Sequence, residues 1–288
     1  RIRAMLGDDR EFELEWVSVY TFQCRRMNDF RHGRVLFVGD AAHQVSPFGA
    51  RGANSGIQDT DNLCWKLKLV IDGKAPSSLL DTYSDERGFA ADENILNSTR
   101  STDFITPKSK ISLTFRNAVL TLAREHAFAR ALVNSGRLSV PTFLTESVLN
   151  TPDTDSFAGD MVPGAPLDDA PMRENGENFW LLDRVGNRFM ALVHVADPAA
   201  VDAEFGQKME VLAKAPIPLE VVLVAPQAGK SPSGLRVFED YTGRYAERFD
   251  SEPGTVYLIR PDQHVAARWR SFEAARVAAA LAKATCNA

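Results

Sequence analysis

Residues 34–67 constrain the fold of this chain more than any other stretch of its sequence. Four consecutive apolar residues, from Val35 to Val38, stand directly before Gly39 and Asp40. An unbroken apolar run of this kind predicts a strand that is covered on both faces. We therefore expect Asp40 to lie at the carboxyl end of a buried strand, which is where ligands bind in open α/β sheets.

The loop after this strand predicts a site for a flat ligand that carries hydroxyl groups. The carboxylate of Asp40 can accept two hydrogen bonds from vicinal hydroxyls, and Ala41 adds no bulk beside it. Further along, Gly49, Gly52 and Gly56 allow the backbone to approach a ligand closely or to adopt positive φ angles.

A helix is predicted to follow, starting near Ala53 or Asn54. Apolar positions recur along it at helical spacing, at Ile57, Thr60, Cys64, Leu67 and Ile71. The free N–H groups and the positive dipole end at its start suit a negatively charged group. A carboxylate for hydroxyls and a helix terminus for negative charge are what a flavin needs, because its ring becomes anionic on reduction.

The residues of this stretch resemble a known motif. The string Gly39-Asp40-Ala41-Ala42-His43, followed by Pro47 and by Gly49-Ala50-Arg51-Gly52-Ala53-Asn54, resembles the second FAD-binding motif of the single-component aromatic hydroxylases. A Gly-Asp dipeptide alone is more often a simple turn. A phosphate-binding loop is the other alternative, but the sequence Gly-x-x-x-x-Gly-Lys-Ser/Thr is absent.

The resemblance implies which residues contact the cofactor FAD. They are Gly39, Asp40, Ala41, Pro47, Gly49, Gly52, Ala53 and Asn54. It also implies that Pro47 and Phe48 line the reacting edge of the flavin, with the Pro47 carbonyl turned toward the substrate. No metal is implied, and the histidines and cysteines show no ligand spacing.

The implied activity is hydroxylation of a phenolic compound by O2 through a flavin C4a-hydroperoxide, with NAD(P)H as the electron donor. Two alternatives remain open. The chain is a cofactor-free fragment that serves as a dimerisation or interaction module, or it belongs to a flavin monooxygenase that acts on a non-aromatic substrate.

Composition narrows the range of partners. The net charge is −5 and there is no basic run, which argues against nucleic acid. No apolar stretch approaches the roughly 18 residues of a membrane span. Three widely spaced cysteines favour a reducing compartment, so we expect a cytoplasmic protein without disulfides.

Upstream of the motif, residues 11–25 are rich in β formers and predict a strand. Downstream, a helix capped by Ser77 or Ser78 carries residues 79–87, which resemble the family's Leu-Leu-x-x-Tyr-x-x-Glu-Arg signature. There the resemblance implies that Tyr83 packs and that Glu86 or Arg87 pairs. Helical patterns over 90–103 and 110–134 predict helices that pack over the sheet or at a subunit contact.

Four prolines mark residues 151–171 as an extended linker. Beyond it we predict strands at 179–184, 188–196, 219–225, near Val237, 255–260 and 264–269, with helices at 198–214, around Arg244 and at 271–284. This order is thioredoxin-like. No Cys-x-x-Cys is present, so redox exchange by this domain is excluded. We also predict a cis bond between Glu252 and Pro253.

The sequence thus predicts an α/β chain. Residues 1–150 form part of a glutathione-reductase-like FAD-binding domain, 151–171 a linker, and 172–288 a thioredoxin-like domain without redox cysteines. Residues 256–270 resemble the carboxyl-terminal domain of 3-(3-hydroxyphenyl)propionate and phenol hydroxylases. Because the family's Gly-x-Gly-x-x-Gly is absent, we expect the carboxyl-terminal part of a longer enzyme, assembled as a homodimer.

Overall fold

The computed structural model describes residues 2–7, 10–133 and 140–288, which fold as an α/β protein. The helices are α1 Ile2–Leu6, α2 Arg51–Ile71, α3 Asp81–Ile105, α4 Lys110–Ala123, α5 Ala127–Val133, α6 Leu181–Arg184, α7 Ala203–Ala213, α8 Arg244–Arg248 and α9 Ala274–Ala284. The strands are β1 Arg25–Arg26, β2 Arg31–His32, β3 Val35–Leu36, β4 His43–Gln44, β5 Pro171–Glu174, β6 Glu177–Trp180, β7 Phe189–His194, β8 Leu219–Ala225, β9 Arg236–Glu239, β10 Val256–Ile259 and β11 Val265–Trp269.

A seven-stranded sheet organises the carboxyl-terminal part, in the order β11-β10-β7-β8-β9-β5-β6. Strands β7, β8 and β9 are parallel, and β10 and β11 form an antiparallel hairpin beside β7. The predicted alternation of strands and helices is therefore present, and β8 has the predicted bounds. Strand β5 was not predicted, and the expected strand at 179–184 divides into β6 and the short helix α6.

Both faces of this sheet are covered, which explains why β7 and β10 are wholly buried and, except for His194, apolar. One face packs against α7 and α9 and also receives Trp65 from α2, whose ring meets Phe189 edge-on at 5.5 Å. The other face packs against α8 and against Met161, Ala165 and Leu167. The sheet is therefore joined to the motif-bearing part through α2.

Residues 151–171 run in extended form along β11. Gly164 N–H donates to Val265 O at 2.7 Å, and Leu167 N–H donates to Gln263 O at 2.8 Å. Gly164 has a φ of +92°, and a Cβ there would lie 2.4 Å from Leu144 O, so only glycine fits. Backbone N–H groups of this segment thus find acceptors at the edge of the sheet. The domain boundaries on either side of it stay a prediction.

The amino-terminal strand predictions were wrong. Residues 11–24 form no strand, and their side chains are exposed, Val19 by 94%. Only Val35 and Leu36 of the predicted buried strand are paired as a strand. They form a two-stranded hairpin with β2, and Val35 is 55% exposed. A strand forms where another strand can hydrogen-bond to it. Among the described residues, the strand beside β3 is β2, which is two residues long.

The helical region after α2 was predicted in part. Ser77–Leu80 is a 3-10 turn, and the two predicted helices that follow are one continuous helix, α3. The expected helix at 110–134 is broken into α4 and α5, and Asn134 lies outside the described residues. Both helices are largely exposed, with Ile111 83% and Phe128 65% accessible.

Two further observations concern the described residues alone. They contain no cis peptide bond, so the predicted cis bond before Pro253 was wrong. No helix among them is long and apolar enough to cross a membrane.

Candidate functional site

The Gly39–Asp40 turn lies directly against the first turns of α2. Residues Gly39–Ala41 form a 3-10 turn in which Gly39 has a φ of +56°. A Cβ added to Gly56 would lie 3.3 Å from the Gly39 Cα, so the two glycines let the backbones meet. Asp40 is exposed, and its carboxylate accepts no hydrogen bond from the described residues.

The loop that follows ends in a left-handed residue, Ala50, with a φ of 51°. Its N–H donates to Pro47 O at 3.1 Å. The Pro47 carbonyl therefore has one backbone partner, and its predicted orientation toward the substrate or the hydroperoxide stays a prediction. Gly49, with a φ of +86°, has the positive angle that the sequence predicted.

Helix α2 begins at Arg51, two to three residues before its predicted start. The N–H groups of Gly52 and Ala53, in the first turn, consequently have no acceptor within the helix. Asn54 is the first residue of α2 whose N–H can reach the carbonyl four residues earlier, that of the N-cap Ala50. Its side chain donates to Ala50 O at 2.8 Å.

Most of the predicted site residues are accessible. Exposed are Asp40, Ala41, Pro47, Gly49, Ala53 and Asn54, while Gly39, Phe48 and Gly52 are partly buried. A cavity of about 190 Å³ beside the loop is lined by Gly49, Asn54, Arg51 and Pro141, among others. The turn that carries Asp40 contacts α2 at Gly56, one turn after Gly52 and Ala53. An exposed carboxylate and the start of a helix can bind a polyol and an anion.

Arg51 lies inward from this face and is buried. Its guanidinium donates to the Asn94 side chain and, at 3.1 Å, to Val140 O. Burial lowers the pKa of Arg51. Asn94 in turn donates to Ser55 Oγ at 2.8 Å, so a polar network ties the start of α2 to α3.

A second buried group of side chains, here called the turn cluster, consists of His43, Asp59 and Arg87. His43 Nε2 lies 2.7 Å from Asp59 Oδ2, and Arg87 Nε donates to Asp59 Oδ1 at 2.7 Å. Gly39 N–H also donates to Asp59 Oδ2, at 2.9 Å. Burial by itself raises the pKa of Asp59, but the hydrogen bond from His43 and the charge of Arg87 hold it below its usual value.

A third group, the junction cluster, consists of Lys66, Glu86, Arg260 and Asp262, all at most 4% exposed. Arg260 donates to both Glu86 oxygens, at 2.6 and 2.9 Å, and to Asp262 Oδ2 at 2.7 Å. Lys66 Nζ donates to Glu86 Oε2 at 2.7 Å. Burial lowers the pKa of Lys66 to about 8, although Glu86 opposes this shift.

The predicted apolar face of α2 is buried only in part. Leu67 packs against the core, as predicted, but Ile57, Cys64 and Ile71 are exposed. The buried face also carries Asp59 and Lys66. The implied pairing of Glu86 or Arg87 is confirmed for both residues. Sequence reasoning missed Asp59, and its only signal was its position two turns after Gly52 on the same helix.

Family comparison explains why these residues occur together. Residues 2–98 match the model of the FAD binding domain, and residues 172–284 match the model of the HcaD C-terminal domain. The chain thus contains both of these families, and its relatives are single-component FAD-dependent aromatic hydroxylases. The motif built around Gly39 and Asp40 lies within the segment that matches the FAD binding domain.

Relatives of this hydroxylase family share most of the chain. The 3-(3-hydroxy-phenyl)propionate/3-hydroxycinnamic acid hydroxylase of Paraburkholderia xenovorans (strain LB400) is 30% identical over 316 residues, covering 92% of this chain and 49% of the relative. The 4-methyl-5-nitrocatechol 5-monooxygenase of a Burkholderia species is 27% identical over 287 residues, covering 95% and 47%. The chain spans about half the length of the curated relatives it matches.

Among solved structures, the flavin-dependent monooxygenase PieE, crystallised with FAD and substrate, is similar with a TM-score of 0.68 and 25% sequence identity. The match covers 90% of this chain and 49% of PieE. The rebeccamycin biosynthetic enzyme RebC, with a TM-score of 0.70 and 23% identity, shares the fold.

Proposed function

We propose that the protein is an FAD-dependent monooxygenase that uses NAD(P)H and O2 to hydroxylate a phenolic ring. The observation that carries this proposal is the Gly39–Asp40 turn, which lies against the first turn of α2 with the carboxylate exposed. A flavin requires both a hydroxyl acceptor and a donor for negative charge, and this is where the chain offers the two together.

The residues present fit the cofactor. Asp40 would accept hydrogen bonds from the ribityl hydroxyls, and the N–H groups of Gly52 and Ala53 at the start of α2 would donate to the ring when it carries negative charge. Pro47 and Phe48 would lie beside its reacting edge. FAD supplies electron transfer from the nicotinamide and activation of oxygen, while the chain supplies position and charge.

The phenolic substrate is supported by the relatives. Two of them are named for substrates with a hydroxyl group on an aromatic ring, a hydroxyphenylpropionate and a nitrocatechol. An electron-donating hydroxyl activates a ring toward an electrophilic oxygen, which suits flavin chemistry. Oxidation of NADH or NADPH that accelerates when such a phenol is added would support this substrate class; acceleration by non-aromatic alkenes alone would contradict it.

We also propose that residues 172–288 are a thioredoxin-like domain that acts by packing or at a homodimer contact in a cytoplasmic enzyme. The βαβ unit of β7, α7 and β8, followed by the β10–β11 hairpin and α9, supports this assignment. No Cys-x-x-Cys is present, so its contribution is structural. A sedimentation mass equal to one subunit would remove the dimer from the proposal.

The role of Asp40 is tested by Asp40→Ala in the FAD-containing enzyme. Loss of two charge-assisted hydrogen bonds should cost on the order of 3 kcal/mol. That corresponds to an increase in the FAD Kd of about a hundredfold, measured by flavin fluorescence titration. Asp72→Ala is the control, since Asp72 is exposed at the other end of α2. Equal FAD affinity in both variants would contradict the assignment of Asp40.

A further inference from the structure

We propose that Asp59 is a positioning residue for FAD, which acts by holding the backbone beside Asp40 rather than by touching the cofactor. This inference rests on the proposed function, because it assumes that Asp40 binds the ribityl chain. Asp59 is 0% exposed and lies on the buried face of α2, whereas Asp40 is exposed. Asp59 is therefore placed behind the turn that presents Asp40.

The link between the two aspartates is one backbone hydrogen bond. Gly39 N–H donates to Asp59 Oδ2 at 2.9 Å, and Gly39 directly precedes Asp40. Gly39 has a left-handed φ of +56°, and its Cα is in contact with Gly56 on α2. The direction of the Asp40 side chain follows from the dihedral angles of this turn. A fixed acceptor for Gly39 N–H therefore fixes where the Asp40 carboxylate lies.

The carboxylate of Asp59 is itself held on both oxygens. Arg87 Nε donates to Oδ1, and His43 Nε2 shares Oδ2 with Gly39. Because an ionised carboxylate can only accept, His43 must carry its proton on Nε2. Phe30 stacks on His43 with ring centroids 5.7 Å apart, so the imidazole has little freedom to leave. The acceptor is therefore rigid.

Only a carboxylate satisfies all three donors. An asparagine at position 59 would offer one oxygen and one NH2 group, so either Arg87 or the pair of Gly39 and His43 would face a donor. A buried donor without an acceptor is costly. If the NH2 group faces Gly39, the turn would shift to reach another acceptor; if it faces Arg87, the repelled side chain would no longer hold its oxygen fixed beside Gly39. Asp59→Asn thus changes the turn while it keeps the shape of the side chain.

The experiment is a double-mutant cycle on the FAD Kd of the enzyme, measured well below the midpoint of thermal unfolding. We expect Asp59→Asn to weaken FAD binding about tenfold to a hundredfold, because one charge-assisted hydrogen bond is misdirected. In the Asp40→Ala background the same substitution should have no further effect, because the group that it positions is already absent.

Asp262→Asn is the matched control, since Asp262 is a buried aspartate that accepts hydrogen bonds from Arg260 and Asn62 in the junction cluster. It should lower the unfolding temperature and leave the FAD Kd within about twofold. Equal weakening by Asp262→Asn and Asp59→Asn would overturn the inference, because it would reflect general loss of stability.

Other outcomes separate the inference from the function on which it rests. If Asp40→Ala weakens FAD binding but Asp59→Asn does not, or if the two effects multiply, positioning by Asp59 is overturned and the role of Asp40 stands. If Asp40→Ala itself has no effect, the proposed role of Asp40 fails first and the positioning role with it.

A second variant keeps the test decisive if Asp59→Asn does not fold. His43→Leu removes one donor from Asp59 Oδ2 and keeps an apolar contact with Phe30. We expect a smaller weakening of FAD binding, about threefold to tenfold, that also disappears in the Asp40→Ala background. Persistence of the His43→Leu effect in that background would overturn the inference.

Discussion

The turn cluster and the junction cluster are both buried groups of paired charges on the same helix, yet they do different things. The turn cluster connects α2 to α3 and holds Gly39 N–H beside the proposed cofactor site. The junction cluster connects residues 174 positions apart in sequence, Glu86 and Arg260, and so joins the carboxyl-terminal sheet to α2 and α3. One cluster orients a turn, and the other holds two parts of the chain together.

The comparison teaches that burial of charge does not by itself identify a functional site. Buried ion pairs contribute little net stability compared with well-packed apolar side chains, but removal of a single partner is costly. Both clusters should therefore be sensitive to substitution. Only substitutions in the turn cluster should change FAD affinity, and this difference can be measured.

The largest expected loss of stability comes from Glu86→Gln. It leaves Lys66 and Arg260 buried with only Asp262 as counter-charge, and the free energy of unfolding should fall by about 3–5 kcal/mol, measured by urea denaturation. Asp85→Asn, at the exposed neighbouring position, is the control. If Glu86→Gln weakened FAD binding as much as Asp59→Asn does, the proposed difference between the two clusters would be contradicted.

The free energy of unfolding should depend on pH through Lys66, by a few kcal/mol in total. Burial lowers its pKa from 10.5 to about 8, so between these values the unfolded chain holds a proton that the folded protein lacks. Stability should therefore rise with pH across this window, by about 1.4 kcal/mol per pH unit where the difference is one full proton.

The variant Lys66→Met should flatten that rise, since methionine does not titrate and fills a similar volume. Urea unfolding of both proteins through the same pH window is the measurement. His43→Leu, in the turn cluster, should leave the slope unchanged. A slope that survives in Lys66→Met would assign the titration to another group.

The smallest effect is expected at the ion pair of Arg26 and Asp92, which is partly exposed at the edge of the proposed site. Asp92→Asn should change the free energy of unfolding by at most about 1 kcal/mol, because water and salt screen such pairs. It should also leave FAD binding unchanged. A larger change in either measurement would show that charge pairs outside the two clusters also support the site.

The sequence predicted the carboxyl-terminal sheet well for a physical reason. Strand β8 is apolar except for Glu220 and is covered on both faces, so the pattern in sequence and the burial in space agree. Strand β3 has an equally apolar sequence, but among the described residues its neighbour is the two-residue β2, and only Val35 and Leu36 pair. A hydrophobic pattern shows that a segment requires burial. Whether the segment forms a strand also depends on a neighbouring strand that can hydrogen-bond to it.

Part of the site was also predictable. The positive φ of Gly49 and the pairing of Glu86 and Arg87 followed from the residue types and the motif. The orientation of α2 did not follow, because periodicity analysis places Asp59 and Lys66 on the solvent side. Their burial depends on partners contributed by α3 and by the β10–β11 turn, which no local pattern in α2 can reveal.

Helix α2 carries members of both clusters, with Asp59 and Lys66 seven positions apart along one buried face. A translation of α2 along its axis by one residue, about 1.5 Å, would separate Asp59 from Gly39 and Lys66 from Glu86 at the same time. The proposed site for the ribityl chain and the contact between α2 and the carboxyl-terminal sheet thus depend on the same axial position of α2. A shift of the helix that changes one of them also changes the other.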